Sequence, residues 1–200
     1  MAAAPNPRRV RVFLAEKGIV VPTVQIDLTK GEHKAPEFLQ KNPSGRVPVL
    51  ELDDGTCIAE SIAICRYFEA TQPDPNLFGR SPVELATTEM HNRQLEFELL
   101  LPVGVAWVNG PVVARMNPAL KQIPEAKAQG DAAARAFYAR LDGQLASRSF
   151  VAGPRFTVAD ITAMVVIDFA TARVGLKPEA NLVNLWRWHR AVSSRPSAKA

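Results

Sequence analysis

The chain is poor in the residues that build specialised sites. It has two cysteines, Cys57 and Cys65, in 200 residues. Two are too few for a disulfide framework, and their spacing is not that of a redox pair. Both lie among apolar neighbours and read as reduced core residues, which suits a cytoplasmic location. No His/Cys/Asp cluster stands at metal-ligand spacing, so no metal is expected. No apolar run approaches the roughly 20 residues that cross a bilayer, so no membrane span is expected. The start, Met1-Ala2-Ala3-Ala4-Pro5, lacks the hydrophobic centre of a signal peptide. There is no Gly-rich phosphate loop, and no Lys/Arg tract is interleaved with aromatics. A formal net charge of +4 favours small anions mildly and does not argue for nucleic acid.

What is there is an ordinary globular balance, 47% hydrophobic and 22% charged. The length allows one large domain or two small ones. The pattern changes character along the chain. Asn6-Pro7 reads as a helix start, with Asn as N-cap and Pro at the first helical position. Val10, Phe13 and Leu14 recur at helical spacing, and Gly18 closes the helix. Over 20–28, Val24, Ile26 and Leu28 alternate with Gln25 and Asp27, which predicts a half-buried strand. Pro36 to Lys41 is a short helix. Asp53-Asp54-Gly55 between two apolar runs predicts a hairpin. Ser61 to Ala70 then carries Ile62, Cys65 and Phe68 on one helical face. The predicted order is α-β-α-β-β-α.

Thr71 to Asn76, with two prolines, reads as a linker. Beyond Pro82 only helices are predicted. One runs from Val83 to about Leu101, is interrupted at Pro102 and resumes to Asn109. Pro111 to Ile123 reads as a loop, and Pro124 to Ser147 as a long amphipathic helix. Thr157-Val158-Ala159-Asp160 is a capping-box start. The helix after it is apolar nearly all round and should be buried. Leu182 to Ser194 is the last helix.

The run Arg46-Val47-Pro48-Val49-Leu50 carries the chemistry. A proline inside a strand cannot donate to the ladder. A cis bond before it is expected, and such bonds are deliberate features. Beside it, Glu60-Ser61 opens an apolar helix, whose free N–H groups suit an anion. Together they predict a small site for a peptide-like anion.

Several segments share one order and spacing with a known family. They are Pro7-Arg8-Arg9-Val10-Arg11 with Glu16-Lys17-Gly18; Asn42 through Leu50; Glu60-Ser61; and Phe150-Val151-Ala152-Gly153 before Phe156 to Ile161. With these, nearly the whole chain resembles the cytosolic glutathione S-transferase superfamily, and its bacterial nu-like and zeta-like groups most. The resemblance implies an α/β thioredoxin-like N-terminal domain over 1–73 and an all-α C-terminal helical domain over 81–200. The family fold begins with a strand before the first helix. Only Met1 to Pro5 precede Asn6 here, so the resemblance implies a first strand missing or truncated.

The resemblance also implies glutathione as co-substrate. Val47, preceding Pro48, would pair its main chain with the cysteinyl backbone. Glu60 and Ser61 would hold the γ-glutamyl end, and His33 the glycyl end, with Lys34 beside it. The family places a Tyr, Ser or Cys before the first helix to ionise the thiol. That position falls on Ala4, which has no donor, so Asn6 is the catalytic candidate. His91, Arg93 and Trp107 are second-substrate candidates, facing a site between the domains. The implied activity is transfer of the glutathione thiol to a soluble electrophile, or glutathione-dependent disulfide or peroxide reduction. It implies a detoxification role and a homodimer. The alternative is a non-catalytic, transferase-like binding or regulatory module.

Overall fold

The computed structural model describes residues 4–200, and Met1 to Ala3 lie outside the described residues. The chain divides into two compact units. One holds the residues up to Asn76 together with Pro196–Ala200, and the other is Leu77–Arg195.

The first unit begins with α1 (Pro5–Lys17), whose N-cap residue is Ala4. Asn6 is therefore inside the first turn and is not the cap. Pro5 explains the shift: its fixed φ suits the first helical position, and the residue before a proline is held extended, as Ala4 is at φ −66°, ψ 134°. Gly18 ends the helix in the left-handed region at φ 65°.

The strand predicted over 20–28 is not formed. This stretch carries no regular structure, and Val24 is 83% exposed. Alternation makes a strand only where a neighbour completes its hydrogen bonds, and among the described residues no strand lies beside it. A 3₁₀ turn (Glu32–Lys34) leads to α2 (Pro36–Lys41). The hairpin follows as β1 (Val49–Glu51) and β2 (Cys57–Ala59), antiparallel, with Val49 opposite Ala59 and Glu51 opposite Cys57.

α3 (Ser61–Thr71) starts one residue earlier than a Ser cap would place it. Its N-cap residue is Glu60, and Ser61 is the first helical position. α3 packs against α1, burying Ile62, Ile64, Cys65 and Phe68. Cys57 is half-buried on β2, so only Cys65 is a core residue, and both are free thiols. Lys17 is buried at the end of α1. Its ammonium donates to Gln72 O at 2.7 Å and Pro75 O at 2.9 Å and pairs with Glu69 at 2.7 Å. Pro196–Lys199 form a 3₁₀ turn packed on α1, where Arg8 donates to Ala198 O at 2.9 Å.

The second unit is helical. α4 (Pro82–Leu95) opens with a full capping box from Ser81 and Glu84. It does not break at Pro102. A π turn (Glu96–Leu100), closed by the Leu101 N–H on Glu96 O, leads directly into α5 (Leu101–Val108). Pro102 lacks an N–H, and the widened turn lets the backbone pass it without a break. The predicted loop over 111–123 begins as a short helix, α6 (Pro111–Met116), with Pro111 at its first position. α7 (Pro124–Leu145) lies so close to α5 that a Cβ on Gly130 would stand 2.7 Å from Pro102 O. α8 (Val158–Phe169) is buried along nearly its whole length, as its apolar sequence predicts, and passes into a π turn (Ala170–Val174). α9 (Val183–Ser193) completes the unit.

Candidate functional site

The loop after α2 is built around Asn42. Its side-chain oxygen accepts from Ser44 N at 3.2 Å and Ser44 Oγ at 2.9 Å, and its Nδ2 donates to Arg46 O at 2.8 Å. An Asn that bonds its own following backbone makes a tight, preset turn. Gly45 sits in that turn at φ 60°. Lys34 lies across it: a Cβ on Gly45 would be 2.6 Å from Lys34 Nζ and 3.0 Å from His33 O. The turn needs glycine for its φ and for this close approach. It brings residues 33–34 against the start of the Arg46-Val47-Pro48 run.

The Val47–Pro48 bond is cis. Among the described residues, neither the N–H nor the C=O of Val47 has a hydrogen-bond partner. Because Val49 faces Ala59, continuing the register places Pro48 opposite Glu60 and Val47 opposite Ser61. The open backbone of Val47 and the start of α3 thus share one end of the hairpin.

Glu60 is the one non-glycine residue with positive φ among those described, at φ 68°. A side-chain-bearing residue there is strained, and such strain clusters at binding sites. Its carbonyl accepts the Ile64 N–H at 3.0 Å and so begins α3, while its own side chain is exposed. The first N–H groups of α3 have no intrahelical partner and carry the positive end of the helix dipole. Ser61 is buried at this end, and its Oγ accepts from Arg9 Nη1 at 2.8 Å.

Arg9 stands in the Pro7–Arg11 motif, which by itself assigns it no place in the site. It is 1% exposed and lies on the buried face of α1 with Phe13 and Lys17. The signal in the sequence is a pair of basic residues, Arg9 and Lys17, bracketing Phe13 at four-residue spacing within an apolar stripe. Cys65 lies one turn beyond Ser61. Burial pushes its thiol up to about 12, so it supplies no thiolate near neutral pH.

Asn6 lies in the first turn of α1, and its Oδ1 is buried without a partner among the described residues. Pro5 and Pro7 carry no N–H, and Arg8 N already donates to Ala4 O at 3.2 Å. Asn6 is therefore the one residue of this turn able to offer a backbone N–H, alongside its side-chain amide. Ala4 contributes no side-chain donor. His33 stands in the 3₁₀ turn, its Nδ1 also buried and without a partner among the described residues.

His91, Arg93 and Trp107 belong to the second unit, where each has partners of its own. His91 is buried, with Arg148 Nη1 at 3.1 Å from its Nε2. Burial, and then the Arg148 charge, hold its imidazole below the usual range. Arg93 pairs with Glu89 at 2.8 Å and Glu96 at 2.9 Å. Trp107 packs edge-on against Phe169, with ring centroids 5.3 Å apart.

Comparison with known proteins gives consistent relatives. Residues 3–71 match the model of the glutathione S-transferase N-terminal domain, and 124–191 that of the C-terminal domain. Glutathione S-transferase 2 of Saccharomyces cerevisiae is 43% identical over 98% of this chain and 85% of its own length. The crystal structure of Gtt2 from Saccharomyces cerevisiae superposes with a TM-score of 0.92 at 41% identity, over 100% of this chain and 96% of that one. A Gtt2-class glutathione S-transferase of Vibrio parahaemolyticus gives a TM-score of 0.86 at 32% identity, over 98% and 92% of the two chains.

Proposed function

The chain belongs to the glutathione S-transferase family, and on that premise we propose how its own residues serve the activity. It is a transferase that takes glutathione as co-substrate and joins the glutathione sulfur to an electrophile. In that step the thiolate forms a C–S bond, and the leaving group departs with the displaced electron pair. Disulfide or peroxide reduction with bound glutathione is the near variant.

The observation that carries the assignment of residues is the unspent backbone of Val47 beside the start of α3. A peptide laid along Val47 can use both main-chain groups, as an added strand does. The γ-glutamyl carboxylate then falls at the N-terminus of α3, on Ser61, with Glu60 facing the γ-glutamyl ammonium. The glycyl carboxylate falls toward His33 and Lys34. The sulfur falls toward the first turn of α1, where the amide and N–H of Asn6 are the donors that stabilise a thiolate. A thiol at its ordinary pKa near 8.5 is about 3% ionised at pH 7, so one or two donated hydrogen bonds matter. His91, Arg93 and Trp107 remain the candidates for the electrophile.

We also propose a homodimer. Val83, Met90 and Phe97 are spaced by seven and stand exposed along α4 and the turn after it, Phe97 at 63%. Aligned exposed apolar residues of this size suit a subunit interface. The free thiols and the family support a cytoplasmic detoxifying role. No helix among the described residues is long and apolar enough to cross a membrane.

The deciding experiment is a thermal shift with glutathione alongside turnover of a model aryl halide. The expected result is a rise in Tm, with turnover that collapses in Asn6→Ala while the Tm rise persists. A rise with no turnover would favour the non-catalytic module, and no rise at all would remove the glutathione site.

A further inference from the structure

We infer that the C-terminal turn Pro196–Lys199 serves as the cap that α1 lacks, and that Arg8, which it holds, is a positioning residue for the thiolate end of the site. This rests on the proposed role of Asn6 and deepens it. The start of α1 has little of its own to hold it. Its N-cap residue Ala4 makes no side-chain bond, and no acidic residue stands in its first turn. A polar cap or an acid there would each steady the turn. Arg8, Arg9 and Arg11 instead gather positive charge near the positive end of the helix dipole. Pro5 and Pro7 fix φ but bring no N–H. The Asn6 Oδ1 is buried with no partner among the described residues, so no bond to that oxygen fixes the amide. Its aim is set by the backbone that carries it.

The hold comes from the other end of the sequence, within the same compact unit. Arg8 Nη2 donates to Ala198 O at 2.9 Å, a charge-assisted bond across 190 residues. Ser197, one residue before, donates its Oγ to Glu16 near the far end of α1. Ser197 and Ala198 are buried, and the turn packs on α1. One short segment thus grips the helix at both ends. An ordinary cap would compete with the chemistry. A Ser or Asp at position 4 would accept from the second or third N–H of the helix. The third residue is Pro7, so the cap would consume the Asn6 N–H, the donor the sulfur needs. Holding the turn from outside, through the Arg8 side chain, leaves that N–H free. Arg8 lies two residues after Asn6 in the same turn, so fixing one orients the other. A donor already in place needs no reorganisation when the thiolate forms. A fraying turn would average it over several directions, and the bound thiol would ionise less.

The test is the pH profile of aryl-halide turnover at saturating glutathione, read beside KM for glutathione. Arg8→Gln loses the charged bond to Ala198 O. Ala198→Leu keeps the Arg8 charge but overfills a buried position and lifts the turn off α1. Each should lower kcat about 3- to 10-fold near pH 6.5, the effect of weakening one hydrogen bond. Each should return close to wild type near pH 9, where the thiol ionises without help. KM for glutathione should stay within about twofold, since its binding groups are untouched. The double variant should lose no more than either single one. Arg8→Lys should recover part of the loss. If Arg8→Gln shifts the profile and folded Ala198→Leu does not, Arg8 acts by charge alone and the inference falls. A loss equal at every pH marks a merely structural role and overturns it as well. Should Arg8→Gln not fold, Ala198→Leu decides by the same reading. Should Ala198→Leu not fold, Ser197→Ala, which frees the turn from Glu16, takes its place. If Asn6→Ala keeps wild-type turnover, the proposed role of Asn6 fails and the inference with it. If Asn6→Ala loses turnover while the other variants keep the wild-type profile, Asn6 stands and only the part of the turn is overturned.

Discussion

The indole N–H of Trp188 on α9 donates to the buried carboxylate of Asp160 at 2.8 Å, tying the last helix to the first turn of α8. Asp160 also accepts from Val151 N, Thr157 N and Thr157 Oγ. One side chain therefore closes a capping box, anchors the preceding turn and fixes α9. Asp160→Ala leaves buried donors unmet and should destabilise the second unit by about 3 kcal/mol or more. Asp160→Asn should cost less than the alanine, because its carbonyl oxygen still accepts at one of the two positions. Urea unfolding followed by tryptophan fluorescence reads both.

The same unit should respond to pH through two groups with opposite signs. Burial, then Arg148, lowers the His91 pKa. Below about 6.5 the unfolded chain binds the proton that folded His91 refuses. This contribution is complete above that pH and is lost as pH falls. Burial pushes the Asp160 carboxyl up to about 6 from 3.8. Between those values the folded state holds the extra proton, so this contribution falls as pH rises. His91→Gln removes only the first. Its stability relative to wild type should therefore improve from pH 7.5 to pH 5, measured as the urea midpoint at each pH; a constant difference would count against a neutral buried His91.

Lys17 closes the first unit by holding two carbonyls and Glu69 at the end of α3. Lys17→Met should cost about 1–3 kcal/mol, because the Gln72 and Pro75 carbonyls and the Glu69 carboxylate all lose the ammonium that donates to them. Limited proteolysis should find cleavage over 72–75 faster in the variant than in wild type.

Two glycines of α7 should respond oppositely to alanine. At Gly130 a Cβ would meet Pro102 O at 2.7 Å and Ala106 N at 3.1 Å, both backbone atoms of α5. Gly130→Ala must push the helices apart and should cost about 1–3 kcal/mol. Gly143 has nothing within 4 Å of the same point. Gly143→Ala should stabilise by about 0.5–1 kcal/mol through helix propensity. Thermal unfolding of the pair under identical conditions checks the contrast.

The proposed dimer makes a plain prediction at Phe97. Phe97→Glu places a charge in the exposed apolar line with Val83 and Met90. Light scattering after size-exclusion should then report monomers, while wild type reports dimers. The Tm should be little changed at high protein concentration, since the side chain is already outside the core.

Local chemistry was legible from the residues alone. The Asp-Gly hairpin, the Thr157–Asp160 capping box, the apolar α8 and the cis bond before Pro48 all depend on near neighbours, and all are present. The start of α1 differs from the expected Asn6 cap because Asn6 is a good cap but Pro5 is a better first residue, and the proline prevails. The stretch over 20–28 departs from its pattern for a different reason. Its alternation states which side chains could face inward, but a strand exists only through a partner elsewhere in the chain.

The order of residues by itself determined the family layout, the hairpin that carries Val47 and Glu60 to one end, and the helix that begins at Ser61. These follow from turn chemistry, helix starts and apolar periodicity, which act over a few residues. Only the tertiary structure decided that Arg9 reaches Ser61, that 20–28 carries no regular structure and that His91 is buried against Arg148. Each depends on groups far apart in the chain meeting in space, and no local preference encodes such a meeting.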